Sequence, residues 1–445
     1  MRLLHTSDWH LGRRLHGVDL LPAHTAWVEH LVEVVRSEAV DVVLVAGDVF
    51  DRAVPPVEAV RLWDEAVLRL VDAGAVVVAS SGNHDSPTRL GAHADLLARS
   101  AVHVRCDPGR VAEPVVLDDR HGPVALYPLP YLDPLTTAGP LGVPGARTQA
   151  AVVARAAALA TAAARSAGRG RTVALAHTWV AGVRPEDRCD SERDISGAAP
   201  GDGARVGTLD RVPTDAFAGL TYTALGHLHG PQVLGEALRY SGSPVAFSFS
   251  ERRHAKGSWL VELDASGLAA VERVPAPVHR PLVQLEGPLE ELLSRSDLEE
   301  HTGSHVKAVL TDPVRPADAM RRLQARFPHA LALEWAPAGD REPALPYRTR
   351  LAAARSDTDV VAGFVDHVRG APASDAELAA LDEAVRAVAA RDVEALVPPR
   401  PPERPEDELL AVDEPADATT DLLAALDGSD GAGPARGDRG DRGAA

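Results

Sequence analysis

Five short polar clusters in this chain carry side chains able to hold metal ions. They are Asp8 and His10 in "TSDWHLG", Asp48 in "VAGDVFD", Asn83, His84 and Asp85 in "SGNHDSP", His177 in "LAHT", and His227 with His229 in "LGHLHG". Each follows a short apolar run. Singly they are weak signals: Gly-Asp after a strand is commonly a turn, and a lone histidine is commonly structural. Together, in this order, they read as one constellation. His and carboxylate donors without thiolate suit manganese, iron or zinc. The donors are too many for one ion and fit two. Two ions about 3.5–4 Å apart need a bridging ligand, and the two oxygens of Asp48 can supply it. Two divalent cations against two aspartates leave a local charge of about +2, which attracts phosphate. Water bound there falls toward a pKa of about 7, giving a hydroxide for in-line attack on phosphorus.

The elements that must position these clusters are legible as alternating strands and helices. Val40–Ala46 ("VDVVLVA") is a buried-strand run, preceded by a helical pattern over Ala23–Ser37 and followed by a helix entered through Pro55-Pro56. Ala75–Ala79, Val124–Tyr127, Thr172–Ala176 and Thr221–Leu225 read as further strands, with an Ala-rich helix over Arg147–Ala167. Such alternation implies an α/β sheet covered by helices. In open α/β sheets ligands bind beyond the carboxyl ends of the strands, so the five clusters are expected on one rim. Asp8 and His10 are expected to point the same way along an extended segment, with Trp9 on the other side in packing. Beyond a linker at Pro275–Pro281, strands at Leu282–Leu285, Val306–Leu310 and Ala330–Glu334 form a small α+β domain. Two helices follow, one capped by Ser356 and one by the Ser374–Glu377 capping box. The stripe Leu378, Leu381, Val385 and Val388 on the second suits packing on its own domain or on a partner helix.

The 445 residues suffice for two or three domains, and 45% hydrophobic residues with only 4% aromatics mean cores of Ala, Val and Leu. Net charge is −18; twelve acidic residues and four arginines fall in the Pro- and Gly-rich stretch from Pro401 to Ala445, which reads as a disordered tail. An acidic chain is not an obvious binder of polyanions, so any affinity for nucleic acid must be local or come from metals or a partner. Two cysteines, Cys106 and Cys189, make no disulfide framework. The chain lacks an 18-residue apolar run and a signal-peptide core, and a cytoplasmic protein is expected.

The pattern D-x-H, G-D, G-N-H-D, H and G-H-x-H resembles the calcineurin-like metallophosphoesterases. The longer words "LLHTSDWHLG", "VDVVLVAGDVFDRAVPP", "GTLDRVP", "YTALGHLHGPQ" and "YSGSPVAFSFSE" resemble the SbcD family, nuclease subunits of bacterial SbcCD complexes. The resemblance is strong over residues 1–275 and looser to about residue 395. It implies a two-sheet sandwich flanked by helices for residues 1–275, a small α+β capping domain that contacts DNA at 276–345 and a helical partner-docking segment at 346–397; the acidic tail at 398–445 extends past it. It implies one manganese on Asp8, His10, Asp48 and His229, and another on Asp48, Asn83, His177 and His227. His84 would contact the scissile phosphate and assist the leaving oxygen, while Asp85 would hold its loop. It further implies an SbcC-like ATPase partner engaged through the helix pair, a homodimer within a heterotetramer, and no membrane association. The activity implied is double-strand exonuclease and single-strand or hairpin endonuclease in DNA repair, recombination and replication.

Some residues stand outside that pattern. Asp51 occupies a position where archaeal and eukaryotic relatives carry histidine, and its role is open. His5 and His16 match no ligand position and are assigned to surface or packing. Arg13, Arg14 and Arg89 lie near the rim without further support as DNA contacts. Two other readings compete: a small-substrate phosphodiesterase, against which the extra domains argue, and a non-catalytic DNA-end tether, against which the full donor set argues.

Overall fold

The first strand, Arg2–Thr6, is central because it is apolar on both faces: Leu3 and Leu4 are both fully buried. It pairs in parallel with Val42–Ala46 and antiparallel with Gly257–Leu263. The complete sheet runs Leu268–Pro275, Gly257–Leu263, Arg2–Thr6, Val42–Ala46, Val76–Ser80, Val102–Arg105. A second six-stranded sheet runs Gln232–Val233, Leu238–Tyr240, Tyr222–Gly226, Thr172–His177, Gly122–Leu129, Val115–Asp119. This is a computed structural model, and it describes residues 1–182, 190, 211–337, 356–369 and 372–396. Cys189 and the acidic tail lie outside the described residues.

Period-two alternation sorts the strand side chains into layers. Leu3, Val42, Leu44 and Val78 of the first sheet meet Leu126, Val173, Leu175 and Tyr222 of the second in the sandwich core. Leu4, Val43, Val45 and Val77 point the other way, onto helices Leu21–Ser37 and Val57–Asp72. The second sheet's outer face is covered by helix Gln149–Ser166, through Ala156, Ala157 and Ala160. Alanines let that helix sit close to the sheet, and Thr148 caps it by accepting from the Ala151 N–H at 3.2 Å. The result is the two-sheet sandwich flanked by helices that the family resemblance implied.

The small domain has three parallel strands, Leu282–Gly287, His305–Leu310 and Ala330–Trp335, closed by helices Leu289–Ser294 and Ala319–Arg326 around Leu292, Val306, Leu323 and Phe327. It belongs to one compact unit with the sandwich, Met1–Gly339. The second unit holds helices Asp357–Arg369 and Asp375–Leu396. Thr358 donates to Asp382 across this pair at 3.0 Å, and Ser374 and Glu377 form the capping box, with the Ser374 N–H on Glu377 at 2.7 Å. Among the described residues no helix is long and apolar enough to cross a membrane.

Candidate metal centre

The carboxyl ends of the parallel strands deliver their clusters to one place. After Arg2–Thr6 the chain runs beside the segment that follows Val42–Ala46: the Asp8, His10 and Leu11 N–H groups donate to the carbonyls of Gly47, Asp48 and Val49, each at 3.0 Å. That ladder sets Asp8 and His10 against Asp48. The second sheet is latched to the same end, since His177 Nδ1 donates to the Ala46 carbonyl at 2.9 Å and the His227 N–H to Asp8 Oδ1 at 2.9 Å. Close approach requires glycine here. A Cβ on Gly47 (φ +82°) would run into the His177 ring, and one on Gly82 into the Asp48 carboxylate.

The extended-segment expectation for residues 8–10 is overturned. The strand ends at Thr6, and Asp8 (φ 53°) and His10 (φ 45°) are left-handed, as are Asp48 (φ 50°) and His227 (φ 102°). Four ligand candidates thus hold backbone conformations that cost about 1–3 kcal/mol each, which is where functional sites concentrate strain. Trp9 does turn away into packing, edge-on to Trp63 at 5.6 Å and Trp27 at 6.5 Å.

All the sequence-derived candidates converge. Asp48 Oδ2 lies 3.4 Å from His10 Nε2 and 3.3 Å from His177 Nε2, fully buried and without a hydrogen-bond partner among the described residues. His10 Nε2 and His229 Nε2 face each other at 3.1 Å. Asn83 Oδ1 is 2.9 Å from His177 Nε2 and 3.2 Å from His227 Nδ1. Among the described residues, three groups of donor atoms are compact enough to share an ion: Asp8, His10 and His229; His10, Asp48 and His84; Asp8, Asp48 and His177. His177 Nδ1–H is committed to the Ala46 carbonyl, so Nε2 is the atom left to face the Asp48 and Asn83 oxygens, by its proton when no ion is bound and by its lone pair when one is. Buried lone pairs facing one another call for a cation between them. The donor set therefore fits a pair of divalent ions.

The electrostatics agree. Burial raises the Asp8 carboxyl to about 6. Burial also opposes ionisation of Asp48, yet the adjacent His177 and His10 hold it well below the usual carboxylate range. Burial works against a charged His177, but Asp48 beside it pushes that ring up to about 9. Protonation of His177 supplies the positive charge that a cation would otherwise bring. Burial drives His10 down, and His227 down to about 3.

His84 stands at the edge of this cluster. Its N–H donates to Asp48 Oδ1 at 2.9 Å and its Nδ1 to the Asp51 carbonyl at 2.7 Å, leaving Nε2 beside His10 without a hydrogen-bond partner among the described residues. Asp85 is the loop's clamp: it accepts from the N–H groups of Val49, Phe50 and Gly82. Asp51, left open by the sequence, pairs with Arg13 at 2.9 Å and sits 3.7 Å from His10 Nδ1. Arg89 is occupied by the Ala53 carbonyl, and Arg14 is exposed. Sequence reasoning missed Phe247, which packs edge-on to both His10 and His229, and the buried pair Glu251–Lys256 at 2.6 Å. Both lie in or just after the quoted "YSGSPVAFSFSE" stretch, but nothing local marked them.

His5 leaves the site and becomes structural, bonded to Tyr222 Oη at 2.9 Å and the Leu225 carbonyl at 3.1 Å. Burial pushes its pKa down to about 3 from the ordinary 6.5. The unfolded chain takes up that proton below about pH 6.5 while the native ring refuses it, so His5's contribution is complete above 6.5 and is lost as pH falls toward 3. Urea unfolding with chelator present is expected to show stability falling between pH 6.5 and 4, with a shallower fall in His5→Gln. An identical slope in the variant would contradict this assignment.

Comparisons with known proteins agree with this geometry. Residues 1–132 match the family model described as calcineurin-like phosphoesterase. The chain is 31% identical to SbcD of the SbcCD nuclease of Escherichia coli (strain K12) over 340 residues, 73% of this chain and 82% of that protein. It is 37% identical to the Rhodobacter capsulatus protein of the same name (67% of this chain, 75% of that one), and 32% identical to the Bacillus subtilis one (64% and 72%). With the metal-donor cluster in place at the strand ends, the chain belongs to the SbcD family of calcineurin-like phosphoesterases.

Proposed function

We propose that this metal-dependent phosphodiesterase is the manganese-dependent DNA nuclease subunit of an SbcCD-type complex. The observation that supports a two-metal reaction is the Asp48 carboxylate, whose Oδ2 lies buried between His10 Nε2 and His177 Nε2 with no hydrogen-bond partner among the described residues. Asp8, His10, Asp48 and His229 would hold one ion, and Asp48, Asn83, His177 and His227 the other. Bound there, two divalent ions would supply Lewis acidity and a nucleophile at neutral pH. The chain's own groups do the rest. Asp48 fixes the His84 backbone, and the Asp51 carbonyl fixes its ring, so that Nε2 faces the leaving oxygen of a bound phosphodiester.

The small domain, within residues 276–345, is assigned as the cap over DNA. The helix pair, within 346–397, is assigned as the dock for an SbcC-like ATPase, in a heterotetramer built on a homodimer in the cytoplasm. The substrates are duplex ends and single-stranded or hairpin DNA met in repair, recombination and replication. One assay tests this: blunt duplex, hairpin DNA and a generic phosphodiester, each with Mn2+, with and without the ATPase and ATP. The proposal expects DNA cleavage stimulated by the partner. Cleavage of the generic ester alone would favour a small-substrate enzyme, and stable DNA binding without cleavage a tether.

A further inference from the structure

The buried pair Glu251–Lys256 has no part in the donor set, yet its contacts gather on the loop that presents His229. Glu251 is 1% exposed, and a buried Glu–Lys pair is a costly way to fill a core that apolar side chains would fill as well. Lys256 Nζ donates to Glu251 Oε2 at 2.6 Å, to Ser243 Oγ at 2.8 Å and to the His229 carbonyl at 2.8 Å. The other carboxylate oxygen, Oε1, accepts from the Phe247 N–H and Ser248 Oγ, both at 3.2 Å, and faces His229 Nδ1 across 3.7 Å. Phe247 in turn lies edge-on to His10 and His229, with ring centroids 5.2 and 5.3 Å away. One carboxylate therefore addresses the far nitrogen of His229 and, through Phe247, the planes of both imidazoles. A carboxylate behind a metal-binding histidine fixes the tautomer and turns the other nitrogen toward the ion.

From this geometry we infer that Glu251 and Lys256 are positioning residues that set the metal affinity of the Asp8–His10–His229 side of the centre. The inference rests on the two-metal reading. Glu251 acts on His229 Nδ1 and on the loop, and Lys256 holds both the carboxylate and the His229 backbone. The opposite half, Asn83, His177 and His227, has its own supports at Ala46 and Asp8. Loss of the pair should therefore weaken one ion selectively.

The test is calorimetric titration of the full chain with Mn2+, on the parent, Glu251→Gln, and the double variant Glu251→Gln/Lys256→Met, which leaves no unpaired buried charge. The parent is expected to bind two ions. Both variants should bind one with parental affinity and the other about 10–100-fold more weakly. Their phosphodiesterase activity should return at correspondingly higher Mn2+, a rescue that a merely structural defect would not show. Parental affinity at both sites in a folded variant overturns the inference. So does failure of both variants to fold, which would make the pair a determinant of the fold alone. If the parent binds no Mn2+, the two-metal reading falls and takes the inference with it, an outcome distinct from the other two.

Discussion

Asp48→Asn is expected to abolish phosphodiester hydrolysis while leaving the fold intact. Asparagine tolerates the left-handed backbone at this position (φ 50°) and keeps an acceptor for the His84 N–H. It loses the charge and the second oxygen that lie between His10 and His177. Removing a partner behind a ligand typically costs about 10–100-fold in affinity or activity, so losing the bridge itself should cost more than about 100-fold. Asp48→Ala should do the same with an added backbone penalty of about 1–2 kcal/mol, because alanine pays for the left-handed conformation. Steady-state cleavage in Mn2+, with circular dichroism as the check on folding, decides the matter. Full activity in either folded variant would remove Asp48 from the bridging position.

His84→Ala is expected to separate catalysis from metal binding. His84 is held at two points: its backbone N–H by Asp48, and its ring Nδ1 by the Asp51 carbonyl. Only Nε2 is presented to the site. A positioned acid or charge stabiliser is worth about 10^2–10^4-fold, so turnover should fall by that amount with both Mn2+ ions retained. His84 is also near enough to His10 and Asp48 to share an ion with them. Metal analysis therefore has a clear alternative: loss of one ion per chain in His84→Ala would make His84 a ligand.

How far the sequence reached can be judged residue by residue. The strands that carry the clusters were visible because buried parallel strands are continuous apolar runs ended by glycine and polar residues, as in Val42–Ala46 before Gly47-Asp48. The clusters were visible because the donors follow those runs directly. The edge strands Val102–Arg105 and Val115–Asp119 went unread: they are short and only half apolar, and register with their neighbours defines them more than composition does. The left-handed backbone at Asp8, His10, Asp48 and His227 was also invisible, because it is imposed by tertiary contacts and only glycine advertises such conformations. Alternation therefore predicted the right outcome for Asp8, Trp9 and His10 by the wrong geometry. Glu251 and Lys256 escaped because their meaning depends on His229, which lies 22 and 27 positions upstream. Asp51 resolved only when its carbonyl was seen to hold His84 and its carboxylate to pair with Arg13.

The central claim is that this chain holds two ions joined through Asp48. Electron paramagnetic resonance of the full chain loaded with two equivalents of Mn2+ tests it most directly. Ions bridged at about 3.5–4 Å are exchange-coupled. The account predicts a coupled multiline spectrum in the parent, and loss of that coupling in Asp48→Asn. A parent spectrum of isolated Mn2+ alone, or saturation at one ion per chain, would contradict it.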